Sequence, residues 1–136
     1  MGVGYVLFGV VGFFVTGFDP FITDTPEKLI GFDINPFHNI VHFGIGAYLL
    51  FVAQLSRPIV EGALIGGGAV YLVAAFLGFT GGLEIISINS AGAPINFLHI
   101  VTGSAALAIG LFSVATTPAA EGESSGVPGN VLKQRR

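Results

Sequence analysis

His38, His42 and His99, together with Asn39 and Asn96, are the residues of this 136-residue chain whose types and spacing most readily suggest chemistry. The run Asn39-Ile40-Val41-His42-Phe43-Gly44-Ile45-Gly46 recurs as Asn96-Phe97-Leu98-His99-Ile100-Val101-Thr102-Gly103. Asn39 to Asn96, His42 to His99 and Gly46 to Gly103 each span 57 positions, so the shared pattern is N-x-x-H-x-x-x-G. On a helix, positions i, i+3 and i+7 fall on one stripe. Four readings of that stripe follow. In the plainest, Asn39, His42, Asn96 and His99 form an interhelical polar cluster that pins helices through hydrogen bonds, with the glycine below each histidine permitting close backbone approach. In the second, His42 and His99 are the axial pair of a haem or a chlorophyll-type pigment. Adjacent helices pack about 8–10 Å apart, too close for a macrocycle, whereas diagonal helices of a square bundle lie roughly 13 Å apart. In the third, His38 and His42, at i and i+4, chelate a divalent metal near Asp33. No third ligand stands at fixed spacing, so Asp33 with His38 reads as a cap and interface cluster at the helix mouth, and no metal is expected. In the fourth, the histidines relay protons, since ionisable residues in apolar segments are often functional. Such a path needs polar groups along its depth, and Tyr48 and Gln54 are the only strong ones deeper in the second apolar segment.

Composition removes most other chemistry. The chain has no cysteine, which excludes disulfides, thiolate metal sites and cysteine nucleophiles. Net charge is −3 with five Lys and Arg, too few cations for a nucleic-acid partner. Only 10% of residues are charged while 52% are hydrophobic, against about 25% charge in soluble domains. Gly66-Gly67-Gly68 lacks both the preceding strand and the following Lys-Ser/Thr of a phosphate loop, and reads as helix packing. No nucleophile stands beside a base and no carboxylate pair appears, so the expectation is a protein that is not an enzyme.

The elements that would position the stripe are four apolar segments, at about 2–18, 38–55, 62–81 and 95–115. Each approximates the roughly 20 residues that span a bilayer as helix. Residues 1–18 lack the basic start and small-x-small end of a signal peptide and read as a mature first helix. Asn35-Pro36, Pro58 and Pro94 punctuate the later helix starts. Thr25 to Gly31 reads as one short capped turn of helix, with Leu29, Ile30 and Phe32 at the membrane surface. His42 lies six residues past Pro36 and His99 five past Pro94, roughly 9 and 7.5 Å below the surface at 1.5 Å per residue.

Charge sets the expected topology. Asp19, Asp24, Glu27, Asp33 and Lys28 fall in the first loop and Glu84 in the third. Arg57 and Glu61 fall in the short turn at 56–61, and Lys133, Arg135 and Arg136 in a polar tail at 116–136. The positive-inside rule then places both termini in the cytoplasm and the two longer acidic loops outside. With the N-x-x-H-x-x-x-G repeat, and a weaker echo of Thr16-Gly17 in Thr80-Gly81, the fold class expected is all-α membrane. It comprises four transmembrane helices in a tandem 2+2 parallel repeat, with a pseudo-twofold axis along the membrane normal.

The stretch N-P-F-H-N-I-V-H-F-G-I-G-A-Y that opens the second helix, with N-F-L-H-I-V-T-G-S-A-A-L in the fourth, resembles a family of small bacterial four-helix integral membrane proteins known only as a domain of unknown function. The resemblance covers roughly residues 3–113 and is most specific around Asn39 and His42. Ala93-Pro94-Ile95 departs from it, standing where that family often carries an Asn-Asp pair ahead of the histidine. It implies four helices in a bacterial cytoplasmic or derived internal membrane, and no activity. The function expected is a non-enzymatic accessory or scaffolding subunit of a larger membrane complex, with haem or pigment binding at His42 and His99 as the alternative.

Overall fold

Proline and its neighbours decide where three of the four helices begin. In the computed structural model, which describes residues 1–23 and 25–117, Asn35 adopts extended backbone and its Oδ1 accepts the His38 N–H at 2.8 Å. Pro36, whose missing N–H costs nothing there, opens the helix. Pro58 and Pro94 stand in the first turns of the next two. The helices are α1 (Gly2–Thr16), α2 (Pro36–Val52), α3 (Arg57–Phe79) and α4 (Pro94–Thr116). Gly17, at φ 65°, ends α1. Asp24 and residues 118–136 lie outside the described residues, and with them nearly all of the expected polar tail.

Two helices, α3 and α4, are long and apolar enough to cross a membrane. At 23 residues each they reach about 34 Å, beyond the roughly 30 Å of a hydrocarbon core. The apolar α1 and α2 have 15 and 17 residues, about 22 and 26 Å. Relative to the expected segments, α3 starts earlier and takes Arg57 and Glu61 out of the turn and into the helix. The physical reason is local: Glu61 accepts from Arg57 Nε one turn back at 2.8 Å, so neither charge needs a solvated loop.

The expected short helix over 25–31 is replaced by an antiparallel hairpin of β1 (Lys28–Leu29) and β2 (Phe32–Asp33). Ile30 and Gly31 both take positive φ, 55° and 85°, the turn geometry whose twist matches paired strands. Lys28 pairs with Asp33 across the register. Thr25 Oγ1 donates to the Ile34 carbonyl at 2.6 Å and Asn35 Nδ2 to the Ile85 carbonyl at 2.9 Å. The latter bond ties the first interhelical loop to the third, where a 3-10 turn at Glu84–Ile86 sits inside a single Leu83–Ile88 bridge. A small core of Ile88, Ala93 and Ile95, with Phe32, Leu83 and Ile86 against it, lies in this layer of loops.

The helices pair as two antiparallel hairpins, α1 with α2 and α3 with α4, while α2 touches α3 far less. Equivalent close approaches hold each hairpin together. A Cβ on Gly46 would lie 2.5 Å from Val6 N, and one on Gly103 2.9 Å from the Gly68 carbonyl. Such contacts are shorter than side chains tolerate, so glycine sets the interhelical distance.

Candidate functional site

The polar stripe sits beneath the loop layer, and burial of its members is nearly complete. Asn39 and Asn96 have no exposed surface, and His38, His42 and His99 are buried. Asn39 packs its amide on Gly12 of α1, and Asn96 packs its amide on Gly78 of α3. In both cases a Cβ on the glycine would collide with the amide oxygen. The nitrogens differ in partner. Asn39 Nδ2 donates to Thr16 Oγ1 at 2.9 Å, a bond between α2 and α1, whereas Asn96 Nδ2 donates to the loop carbonyls of Ser90 and Ala91 at 3.1 and 3.3 Å. Of the four residues expected to bond between helices, Asn39 makes the side-chain hydrogen bond to another helix, Asn96 bonds to loop carbonyls and His42 bonds to His38 on its own helix.

His38 is not at an open mouth. It is 1% exposed, and its Nε2 lies 2.9 Å from His42 Nε2, one ring donating and the other accepting. The Asp33 backbone lies beside the His38 ring, while its carboxylate pairs with Lys28, which the β-turn brings opposite it. The donor set at this point is two imidazoles. Among the described residues no group of three His, Cys, Asp or Glu converges as a metal would require.

The two halves of the stripe are joined by residues that the motif did not single out. The Tyr5 ring stacks on His42 at a centroid distance of 5.3 Å and meets Tyr71 at 5.9 Å, and Tyr71 meets His99 edge-on at 5.2 Å. Phe8 covers His42 at 4.6 Å. A row of rings thus runs from His38 through His42, Tyr5 and Tyr71 to His99, crossing from one hairpin to the other. Nδ1 of His42, Nδ1 of His99 and the Tyr71 hydroxyl are buried without a hydrogen-bond partner. The Tyr71 and Tyr5 hydroxyls approach one another without completing a bond. Tyr48 and Gln54, the polar groups expected to deepen the path, are both exposed, and Gln54, in the turn after α2, donates to the carbonyl of Leu50.

The sequence did carry a signal for the tyrosines. Gly2 to Gly68, Tyr5 to Tyr71 and Gly12 to Gly78 each span 66 positions. That spacing, and not the Thr16-Gly17 and Thr80-Gly81 echo, matches the packing of α1 to that of α3. It exceeds the 57 positions between α2 and α4 because the first interhelical connection carries the additional β-hairpin.

A second polar cluster lies at the opposite end of the α3–α4 hairpin. Glu61 accepts from Arg57 Nε at 2.8 Å and from Ser113 Oγ at 2.7 Å, and Arg57 donates to the Ser113 carbonyl at 3.0 Å. These contacts staple the first turns of α3 to the last turns of α4.

A family model described as a domain of unknown function (DUF4383) matches residues 1–112, which takes in α1, α2, α3 and most of α4. No curated protein and no solved structure matches the chain.

Proposed function

The chain belongs to the DUF4383 family, and from that premise we propose that it is a non-enzymatic, four-span integral membrane protein serving as an accessory or scaffolding subunit of a larger membrane complex. The observation that carries this reading is the contrast between tight packing within each hairpin and slight contact between them. Apolar side chains cover the outside: Val70, Val73 and Phe76 of α3, and Phe97, Val101 and Phe112 of α4, are each more than half exposed. Lipid and neighbouring apolar helices are the surroundings in which such faces are stable.

In this reading all four helices cross the bilayer as a tandem 2+2 repeat related by a pseudo-twofold axis along the membrane normal. The equivalence of Asn39 on Gly12 with Asn96 on Gly78 supports the repeat. The loops carrying Lys28, Asp33 and Glu84 face outward, and the Arg57 end, with both termini, faces the cytoplasm of a bacterial cell. The shorter α1 and α2 are accommodated by local thinning of the bilayer or by the exposed apolar residues Phe18 and Ile22 that follow α1.

Blue-native electrophoresis of membranes solubilised in mild detergent tests the role. The account expects migration within an assembly far larger than the 14.0 kDa chain, released by harsher detergent. A discrete free monomer under the mildest extraction contradicts it.

A haem or chlorophyll-type pigment between His42 and His99 is the competing reading. The residues as arranged do not fit it. His42 Nε2 is committed to His38, and the rings of Tyr5 and Tyr71 occupy the path between the two imidazoles. An absorption spectrum of the purified protein decides the matter, because a Soret or chlorophyll band requires the pigment and a colourless protein excludes it.

A further inference from the structure

Glycines divide the molecule into tight and loose regions. Within the hairpins they are packed hard: a Cβ on Gly9, Gly46, Gly68 or Gly103 would lie 2.5 to 2.9 Å from the backbone of the neighbouring helix. Between the hairpins they face space, since a Cβ on Gly4 of α1 or on Gly62, Gly66 or Gly67 of α3 would meet nothing within 4 Å. The three glycines of α3 line a cavity of about 550 Å³ that lies mainly between α2 and α3. Gly4 lines a second, of about 270 Å³, mainly between α1 and α4. Tyr5 meets Tyr71 in the middle of this seam. That contact brings no completed hydrogen bond: the Tyr71 hydroxyl is buried without a partner, as are Nδ1 of His42 and Nδ1 of His99.

The hairpins are joined firmly at two places. In the loop layer Asn35 Nδ2 donates to the Ile85 carbonyl, and Phe32 of the first loop packs against the core of Ile88, Ala93 and Ile95. At the opposite end the short 53–56 turn connects α2 to α3. Among the described residues no hydrogen bond joins α1 to α3 or to α4. Voids forfeit dispersion contacts, and buried polar atoms left unpaired are costly, so the seam is the weakest plane in the molecule. Well-packed units joined by a weak interface move as rigid bodies, hinging at the few segments that connect them. We propose that the two hairpins separate at the ends of α1 and α4 remote from the loop layer, pivoting on that layer and on the 53–56 turn. Separation opens a lateral slot between α1 and α4 toward the bilayer. It gives Tyr5, Tyr71 and His42 access to water and lipid ester carbonyls, hydrogen-bond partners that the closed seam does not supply. The polar row is thus shut away in one state and presented to the membrane in the other.

The motion rests on the membrane placement of the hairpins, not on the existence of a partner complex. The chain has no cysteine, so spin labels can be placed on chosen pairs of exposed residues and their separation read by pulsed electron–electron double resonance in lipid nanodiscs. Val3→Cys with Ile109→Cys spans the free ends of α1 and α4, and Ile40→Cys with Phe97→Cys spans α2 and α4 beneath the loop layer. Val3→Cys with Phe51→Cys stays within the first hairpin. Two distance components are expected for the first pair, and a single one for each of the others. Tyr71→Phe removes an unpartnered hydroxyl from the closed seam and should lower the ratio of the longer to the shorter component about tenfold. That variant should keep the parent's helical circular dichroism, since the hydroxyl has no bond to lose. A single component for all three pairs overturns the proposal by showing a closed, static seam. Two components for the Val3–Phe51 pair overturn it by showing that the hairpin itself is not rigid. A ratio unchanged by Tyr71→Phe overturns the account of why the seam opens.

Discussion

In the α1–α2 hairpin Asn39 rests on Gly12 and its amide nitrogen reaches a hydroxyl on the neighbouring helix; in the α3–α4 hairpin Asn96 rests on Gly78 and its nitrogen reaches loop carbonyls. The same glycine–asparagine contact therefore recurs with different hydrogen-bond partners. Beside it, the first hairpin places His38 against His42, while the position equivalent to His38 in the second is the buried Ile95. At the far end the difference reverses. There α3 and α4 are joined by Arg57, Glu61 and Ser113. Each hairpin is held by a common packing contact and by a polar device of its own, the first under the loops and the second at both ends. What the two share is steric, and what distinguishes them is polar.

The largest effects should come from breaking the shared contact. Gly12→Val or Gly78→Val drives a side chain into a buried amide, and each is expected to cost about 3 kcal/mol, at the upper end for overpacking, in a reversible unfolding titration in detergent. Gly66→Val, facing open space, should cost little. Equal tolerance of all three would mean that the asparagines do not rest on those glycines.

A smaller loss follows from erasing a difference. His38→Ile gives the first hairpin the residue found at the equivalent position of the second and leaves His42 Nε2 without its partner. The expected cost is about 1–2 kcal/mol, most of it recovered by the added change His42→Phe. Stabilisation by His38→Ile alone would show that the histidine pair contributes nothing to the fold.

Glu61→Ala should act locally, raising amide hydrogen exchange in the last turns of α4 while α1 and α2 keep the parent rates. Uniform acceleration across both hairpins would argue that the clamp supports the whole molecule. Thr16→Val, which removes the single hydrogen bond from Asn39 to α1, should cost about 0.6 kcal/mol, the average for such bonds between membrane helices.

The sequence made the helical frame legible because its signals are local. Asn35-Pro36, Pro58 and Pro94 mark helix starts through caps and missing donors, and the 57-residue spacing matched α2 to α4 directly. Signals that depend on a partner far along the chain were harder to see. Tyr5 and Tyr71 follow a different spacing because the connections between helices differ in length, so no single offset aligns both members of the repeat. Ile30-Gly31 lacks the Asn-Gly or Asp-Gly pair that usually announces a two-residue β-turn, and the surrounding Pro26, Glu27 and Lys28 suit a helix equally well. Arg57 and Glu61 looked like turn residues because, beyond their own i,i+4 pairing, the Ser113 that completes the cluster lies more than fifty positions away. His38 appeared to sit at an opening because the burial comes from the loop layer folded over it, which no helical period encodes.

The central claim is that both hairpins cross the bilayer with their loops on the same, outer side. The cysteine-free chain permits a direct test: single cysteines at Ile30, Ser90 and Gln54, probed in intact cells with a membrane-impermeant maleimide. The account predicts labelling of Ile30→Cys and Ser90→Cys from outside, and of Gln54→Cys only after the membrane is opened. Labelling of Gln54→Cys in intact cells, or protection of Ile30→Cys while Ser90→Cys reacts, would contradict the four-span arrangement.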